Sequence, residues 1–167
     1  MKEKYRLLPV QVENLRKQYN ESVAKLQSLN VMKENEVSER KVASGNEINF
    51  GPDTSLLGSL SIASRDYKEA KEKLECYELL ENKNSDIIDL GSTFEVEMNY
   101  DGIVENEVFT LVEIRNHKDD HSFISIDSPL GKAVAGTQVG DAISYMVGKE
   151  RITGTVTGIV KEKQKTL

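Results

Sequence analysis

Two apolar stripes with identical spacing constrain this chain more than any other feature. The first runs Val12, Leu15, Tyr19, Ser22, Leu26, Leu29; the second runs Leu60, Ala63, Tyr67, Ala70, Leu74, Tyr77; both advance in steps of 3, 4, 3, 4, 3. That spacing keeps one narrow face of an α-helix apolar, as the a/d seam of a coiled coil does. A seam this narrow is not stable in isolation, so each stripe needs a partner, and the obvious partner is the other. Folded back antiparallel, the layers pair Val12 with Tyr77, Leu15 with Leu74, Tyr19 with Ala70, Ser22 with Tyr67, Leu26 with Ala63 and Leu29 with Leu60. Large side chains then meet small ones in several layers, as dense packing requires. Pro9 suits a first helical turn. A first arm from Pro9 to Arg40 is roughly 45 Å long at the helical rise. The bend falls near Ser44-Gly45, with Gly45 and Gly51-Pro52 as turn residues. The periodicity alone is equally satisfied by a hairpin that only dimerises or acts as a spacer.

The pattern changes near Gly91. Of 11 glycines only Gly45, Gly51 and Gly58 precede it. Beyond it β-branched residues alternate with polar ones, and strands are expected at Thr93 to Met98, Glu107 to Ile114, Ser122 to Ile126, Ala142 to Val147 and Arg151 to Val160. Between the third and fourth lies Ser128-Pro129-Leu130-Gly131-Lys132-Ala133-Val134-Ala135-Gly136, where Ser128 caps a short helix, Pro129 opens it and Gly136 ends it. Asp141, after Gly140, reads as a turn residue that sets the next strand. The fold class expected is α+β: an N-terminal antiparallel helical hairpin over 1–82 with its tip near 36–54, a linker at 83–90, a β-rich domain with one short helix over 91–161, and a polar tail at 162–167.

Composition excludes several function classes. A net charge of −6 disfavours direct, sequence-independent binding to phosphate backbones, so RNA or DNA would be reached only through a protein partner. Cys76 is the only cysteine, which forbids an internal disulfide and fits a reducing compartment. There is no apolar run of membrane-spanning length and no secretory leader pattern, so the reading is cytoplasmic with no membrane partner. No nucleophile-base pair, phosphate loop or zinc pattern is present, so the chain is not an enzyme on its own. His117 and His121 sit around Lys118-Asp119-Asp120, which reads as a hairpin turn rather than a metal site.

Two segments carry a resemblance. Ile124-Ser125-Ile126-Asp127-Ser128-Pro129-Leu130-Gly131-Lys132-Ala133 and Gly136-Thr137-Gln138-Val139-Gly140-Asp141 resemble the C-terminal signature of the bacterial Gre transcript-cleavage factors, with Val134 where that family has leucine. Gly91-Ser92-Thr93-Phe94-Glu95-Val96 resembles the start of the same domain. The resemblance implies an FKBP-like C-terminal domain that docks on a coiled coil of RNA polymerase at the rim of the secondary channel, with Ser128, Pro129, Leu130, Gly131 and Lys132 at the contact. It also implies a monomer whose hairpin enters the channel. Acidic residues at the family's tip help the polymerase hold a second Mg²⁺ and a water for hydrolysis of backtracked RNA; the factor has no cofactor of its own.

The tip departs from that family's pattern. Active members pair an Asp and a Glu three residues apart in a motif resembling D-x-x-E-N-A-E-Y, and Gly45-Asn46-Glu47-Ile48-Asn49 offers one carboxylate instead. Glu47 and Asp53 are the candidate metal-assisting acids; the other reading makes them loop acids, with Asp53 capping the second arm. Ile48 and Phe50 are candidate channel contacts, or pack back on Leu56 or Leu57. Two versions of the function follow: a channel-binding factor that stimulates cleavage, or a cleavage-deficient relative that blocks the channel or competes with active factors. Readings from other classes are a prolyl isomerase or chaperone, which needs an aromatic-lined pocket that a chain with 6% aromatics and no Trp is poorly equipped to build, and an adaptor dimerising through its hairpin.

Overall fold

The structure is a computed structural model that describes residues 4–43, 54–81, 84–116 and 118–161. Its elements in chain order are β1 (Tyr5–Leu7), α1 (Pro9–Ala43), α2 (Thr54–Glu75), β2 (Tyr77–Leu79), β3 (Thr93–Tyr100), β4 (Ile103–Val112), β5 (Phe123–Ser125), α3 (Pro129–Val134), β6 (Ala142–Val147) and β7 (Glu150–Val160). The expected α+β class is what the chain adopts. Two compact units form: Glu13–Glu75, and Met1–Val12 together with Cys76–Leu167.

In the helical unit α1 and α2 run antiparallel. The Tyr19 and Tyr67 rings stack with centroids 5.2 Å apart, and Gln18 Nε2 donates to the Asp66 carbonyl at 3.4 Å. The expected pairing of Tyr19 with Ala70 is therefore offset by about one turn. α2 stops at Glu75, and Tyr77, expected at the end of the seam, lies in β2 instead. The buried positions are Leu15, Gln18, Ser22 and Leu29 on α1 and Ala63, Ala70 and Lys73 on α2. Gln18 and Lys73 thus occupy the seam although they are polar. Lys73 reaches this position because its stem packs inward while its ammonium meets Glu69 at 2.7 Å. A count of apolar spacing cannot see such positions, yet polar seam residues are what select one register among several.

In the other unit β1 and β2 form a two-stranded parallel sheet, Tyr5 facing Tyr77 and Leu7 facing Leu79. These strands were not expected from the sequence. The five remaining strands form a sheet in the order β5-β4-β3-β7-β6, antiparallel except for the β4/β5 pair. Strand β3 is central and strictly alternates, with Phe94, Val96 and Met98 fully buried and Glu95 and Glu97 exposed. β4 begins at Ile103, four residues before the expected start, because Asp101-Gly102 closes a tight hairpin in which both residues have positive φ (53° and 91°). An Asp-Gly pair is the strongest short-range signal for such a turn. The core joins Phe94, Val96, Met98, Leu111, Ile143 and Val156 from the sheet to Leu130 and Val134 from α3 and to Ile88 and Leu90. The segment read as a linker therefore contributes Ile88 to the interior.

Between β4 and β5 the chain does not make the hairpin expected at Lys118-Asp119-Asp120. The two strands are parallel, so the connection must carry the chain back along the sheet.

Candidate functional site

The segment from Ser125 to Asp141 is built by local rules that leave few side chains free. Ser128 is extended (φ −68°, ψ 157°) and caps α3: its Oγ accepts from Gly131 N–H at 3.0 Å and donates to the Ser125 carbonyl at 2.7 Å. Pro129 takes the first helical position, where a missing N–H costs nothing. Leu130 is 9% exposed and belongs to the core. Gly131 is the tightest point. A Cβ there would lie 2.0 Å from the Ser125 carbonyl oxygen and 2.9 Å from Ile126 Cα. Both contacts are backbone, so only glycine lets α3 seat against the end of β5.

The turn below is held as firmly. Ser125 Oγ donates to the Glu113 carbonyl at 3.0 Å, and the Ile126 N–H donates to the Val112 carbonyl at 2.8 Å. After α3, Gly136 N–H donates to the Ile88 carbonyl at 2.8 Å and Ile88 N–H to the Thr137 carbonyl at 2.9 Å. Asp141 is the turn residue the sequence suggests: its Oδ2 accepts from Gln138 N–H at 2.9 Å, and its carbonyl accepts from Val156 N–H at 2.9 Å.

Of the five residues singled out here, then, Leu130 and Gly131 face inward, Ser128 is half-buried, and Pro129 and Lys132 are exposed, with Asp127 exposed beside them. The side chains able to touch another molecule at this turn are Asp127, Pro129 and Lys132. The tip candidates Glu47, Asp53, Ile48 and Phe50 lie outside the described residues, as does His117. His121 Nδ1 sits 2.9 Å from Arg115, and among the described residues no cluster of three or more His, Cys, Asp or Glu is gathered as a metal site.

A second set of residues was not visible in the sequence. Arg6 grips Glu113 with its backbone N–H (2.7 Å to Oε2), its Nε (2.9 Å to Oε1) and its terminal guanidine nitrogen (2.7 Å to Oε1). Gln11, fully buried, donates through Nε2 to Asp119 Oδ2 at 2.7 Å and to the Ile114 carbonyl at 2.9 Å, and its Oε1 accepts from Leu8 N–H at 3.2 Å. Asp119 Oδ2 also accepts from Asn116 N–H at 2.8 Å. These bonds clasp residues 5–12 to the loop after β4. The partners are more than 100 residues apart in the chain, beyond any local signal.

Elsewhere on the sheet, Tyr100 donates to Glu107 Oε2 at 2.6 Å. Burial, and then the Glu107 carboxylate, hold its phenol well above the ordinary value. The face of the sheet beneath α3 is filled by Leu130 and Val134 packed on Phe94, Val96 and Met98. No aromatic-lined peptide pocket forms among these residues.

Residues 82–161 match the family described as transcription elongation factor, GreA/GreB, C-terminal. A transcription elongation factor GreA from Ureaplasma parvum serovar 3 is 40% identical over 78 residues, 46% of this chain and 49% of that protein, so the match spans about half of the relative's length. Among solved structures, the transcription factor Gfh1 aligns at 25% identity with a TM-score of 0.38, over 95% of this chain and 99% of that one. The GreA/GreB factor from Nitrosomonas europaea aligns at 15% identity and a TM-score of 0.38, over 96% and 100% of the two chains.

Proposed function

Since this chain carries the GreA/GreB C-terminal domain over residues 82–161 and so belongs to that family of transcription elongation factors, we propose that it binds bacterial RNA polymerase at the secondary channel and modulates elongation and backtracked complexes. The observation that carries the reading is the capped turn at Ser128–Gly131. Its internal bonds and core packing consume Ser128, Leu130 and Gly131 and leave Asp127, Pro129 and Lys132 displayed on a rigid support. A docking surface needs this kind of preorganisation, because a turn already ordered loses little entropy on binding. The net charge of −6 fits a factor that reaches nucleic acid through the polymerase rather than directly.

In this reading the antiparallel helices carry residues 44–53 to the enzyme. Glu47 and Asp53 are the acids there that would assist the polymerase's own Mg²⁺, and Ile48 and Phe50 would make apolar contact. A single carboxylate at the position where active relatives pair two is a poor holder for an ion that keeps most of its waters. The version in which the chain occupies the channel with little or no cleavage therefore has a specific sequence feature in its favour.

Pull-down with core polymerase, followed by cleavage on a stalled, backtracked complex, tests the proposal. Binding is expected, and it should weaken at least tenfold in Pro129→Ala/Lys132→Glu while the fold persists. Accelerated cleavage lost in Glu47→Gln would select the assisting version; binding that slows cleavage by another factor would select the blocking one. No binding at about 10 µM, a concentration that populates most specific complexes, sinks both.

A further inference from the structure

Strand β6 ends the five-stranded sheet, and it carries no charge, proline or bulge that would keep its edge from pairing. Edges are usually protected by charge, proline, a bulge or shortness. The opposite edge, β5, is only three residues long. β6 reads Ala142-Ile143-Ser144-Tyr145-Met146-Val147, six residues with no charge, proline or glycine, in a chain that is 30% charged. Its pairing with β7 runs unbroken from Ala142 opposite Thr155 to Val147 opposite Glu150. Met146 and Val147 are 46% and 52% exposed.

The phase of the backbone is set at both ends. The two-residue loop Gly148-Lys149 makes Val147 and Glu150 a hydrogen-bonded pair. At the other end the Val156 N–H donates to the Asp141 carbonyl at 2.9 Å. Hydrogen-bonded positions alternate along an antiparallel strand. Ile143, Tyr145 and Val147 therefore turn their backbone groups toward β7, and Ala142, Ser144 and Met146 turn theirs outward, where no described strand meets them.

We propose that β6 pairs antiparallel with β6 of a second copy, about a twofold axis at Ser144. That register is self-complementary. Ser144 faces Ser144, so their hydroxyls can bond. Ala142 faces Met146 on the same side, small against large, and Ile143 faces Tyr145 on the other side. No charge is opposed to a like charge within the strand, and just beyond it Asp141 of one copy lies diagonal to Lys149 of the other, with opposite sign. The neutrality of the edge is what favours a second copy over a charged segment, because a charge set into this row would have no counter-charge. The contact joins two short edges and little else, so the dimer is reversible and weak. The inference rests on the sheet alone and is independent of polymerase docking.

Sedimentation equilibrium of the full chain from about 1 µM to about 1 mM, the range in which weak homodimers assemble, should show the mass rising from 18.7 kDa toward twice that value. Ser144→Lys, at an exposed position, should weaken association at least tenfold while the circular dichroism spectrum stays unchanged. Facing α-carbons in a hydrogen-bonded antiparallel pair lie about 5.5 Å apart, within disulfide range. Ser144→Cys in a Cys76→Ser background should therefore oxidise to a covalent dimer, and Thr157→Cys, exposed on β7 away from the edge, should not. A mass that stays at 18.7 kDa throughout, an association that Ser144→Lys leaves intact, or equal cross-linking by the two cysteines would overturn the proposal.

Discussion

Replacing Gly131 by alanine adds one methyl group at the most crowded point of the β-rich unit. The new Cβ would lie 2.0 Å from the Ser125 carbonyl oxygen, about 1.3 Å closer than the roughly 3.3 Å that a carbon–oxygen contact takes. The obstacle is backbone held from three sides: Ser125 O accepts from Ser128 N–H and Ser128 Oγ, and Ile126 is bonded to Val112. The helix must therefore move rather than the strand. Moving α3 by more than 1 Å breaks the Ser128 cap, worth about 1 kcal/mol, and unseats Leu130 and Val134, an overpacking cost of about 1–3 kcal/mol. The sum is about 2–4 kcal/mol, a large share of the 5–15 kcal/mol that holds a typical domain. At roughly 4–8 °C per kcal/mol for a unit of this size, Gly131→Ala should lower the melting transition followed by circular dichroism by about 8–32 °C. The same substitution at Gly58 is the control with the opposite sign. Gly58 sits in α2 with nothing within 4 Å of its added Cβ, so alanine should stabilise by about 0.5–1 kcal/mol. A Gly131→Ala protein that melts within 2 °C of the parent, on the scale just given, would refute the claim that this glycine is a steric requirement.

Three further outcomes follow from named contacts. Gln11→Leu keeps the volume but strips the bonds to Asp119 and the Ile114 carbonyl; it should cost about 1–3 kcal/mol in urea unfolding, and a neutral result would mean the clasp is incidental. A double-mutant cycle of Tyr19→Leu with Tyr67→Leu should return a coupling of about 0.5–1.5 kcal/mol, whereas coupling of Tyr19 to Ala70 instead would restore the register expected from the stripes. Tyr100 has its phenol raised above the ordinary value of 10.0 by burial and then by Glu107, so the unfolded chain releases this proton first. The stabilisation is whole below pH 10 and is lost as pH rises through the folded value; an alkaline absorbance titration should show a phenol that stays protonated past 10.0 and titrates earlier in Glu107→Gln.

Asp86 follows the opposite sign. Lys161 donates to it at 2.6 Å and holds its carboxyl below the ordinary value of 3.8. Its contribution is present above that value and disappears as pH falls through the lower folded one. Both partners are exposed, so the pair contributes little.

Period and punctuation carried the architecture. Heptad spacing fixes two helices that need each other, because an apolar stripe must be covered. Strict alternation in Phe94 to Met98 fixes a half-buried strand, and Ser-Pro followed two residues later by glycine fixes where α3 begins. These are local consequences of side-chain direction and backbone conformation, so the chain alone determines them. Asp101-Gly102 is an equally local signal that the expected strand start at Glu107 passed over, and it accounts for the early start of β4. Tertiary structure decided what depends on residues distant in sequence. It chose the helical register through Tyr19 on Tyr67 and the buried Gln18, and it paired Tyr5–Leu7 with Tyr77–Leu79. It also divided the Ser128–Lys132 turn into side chains spent on packing and side chains left facing solvent. Apolar patterning shows which face is buried but not what meets it, because that choice rests on hydrogen bonds and close contacts formed only after the chain has folded back on itself.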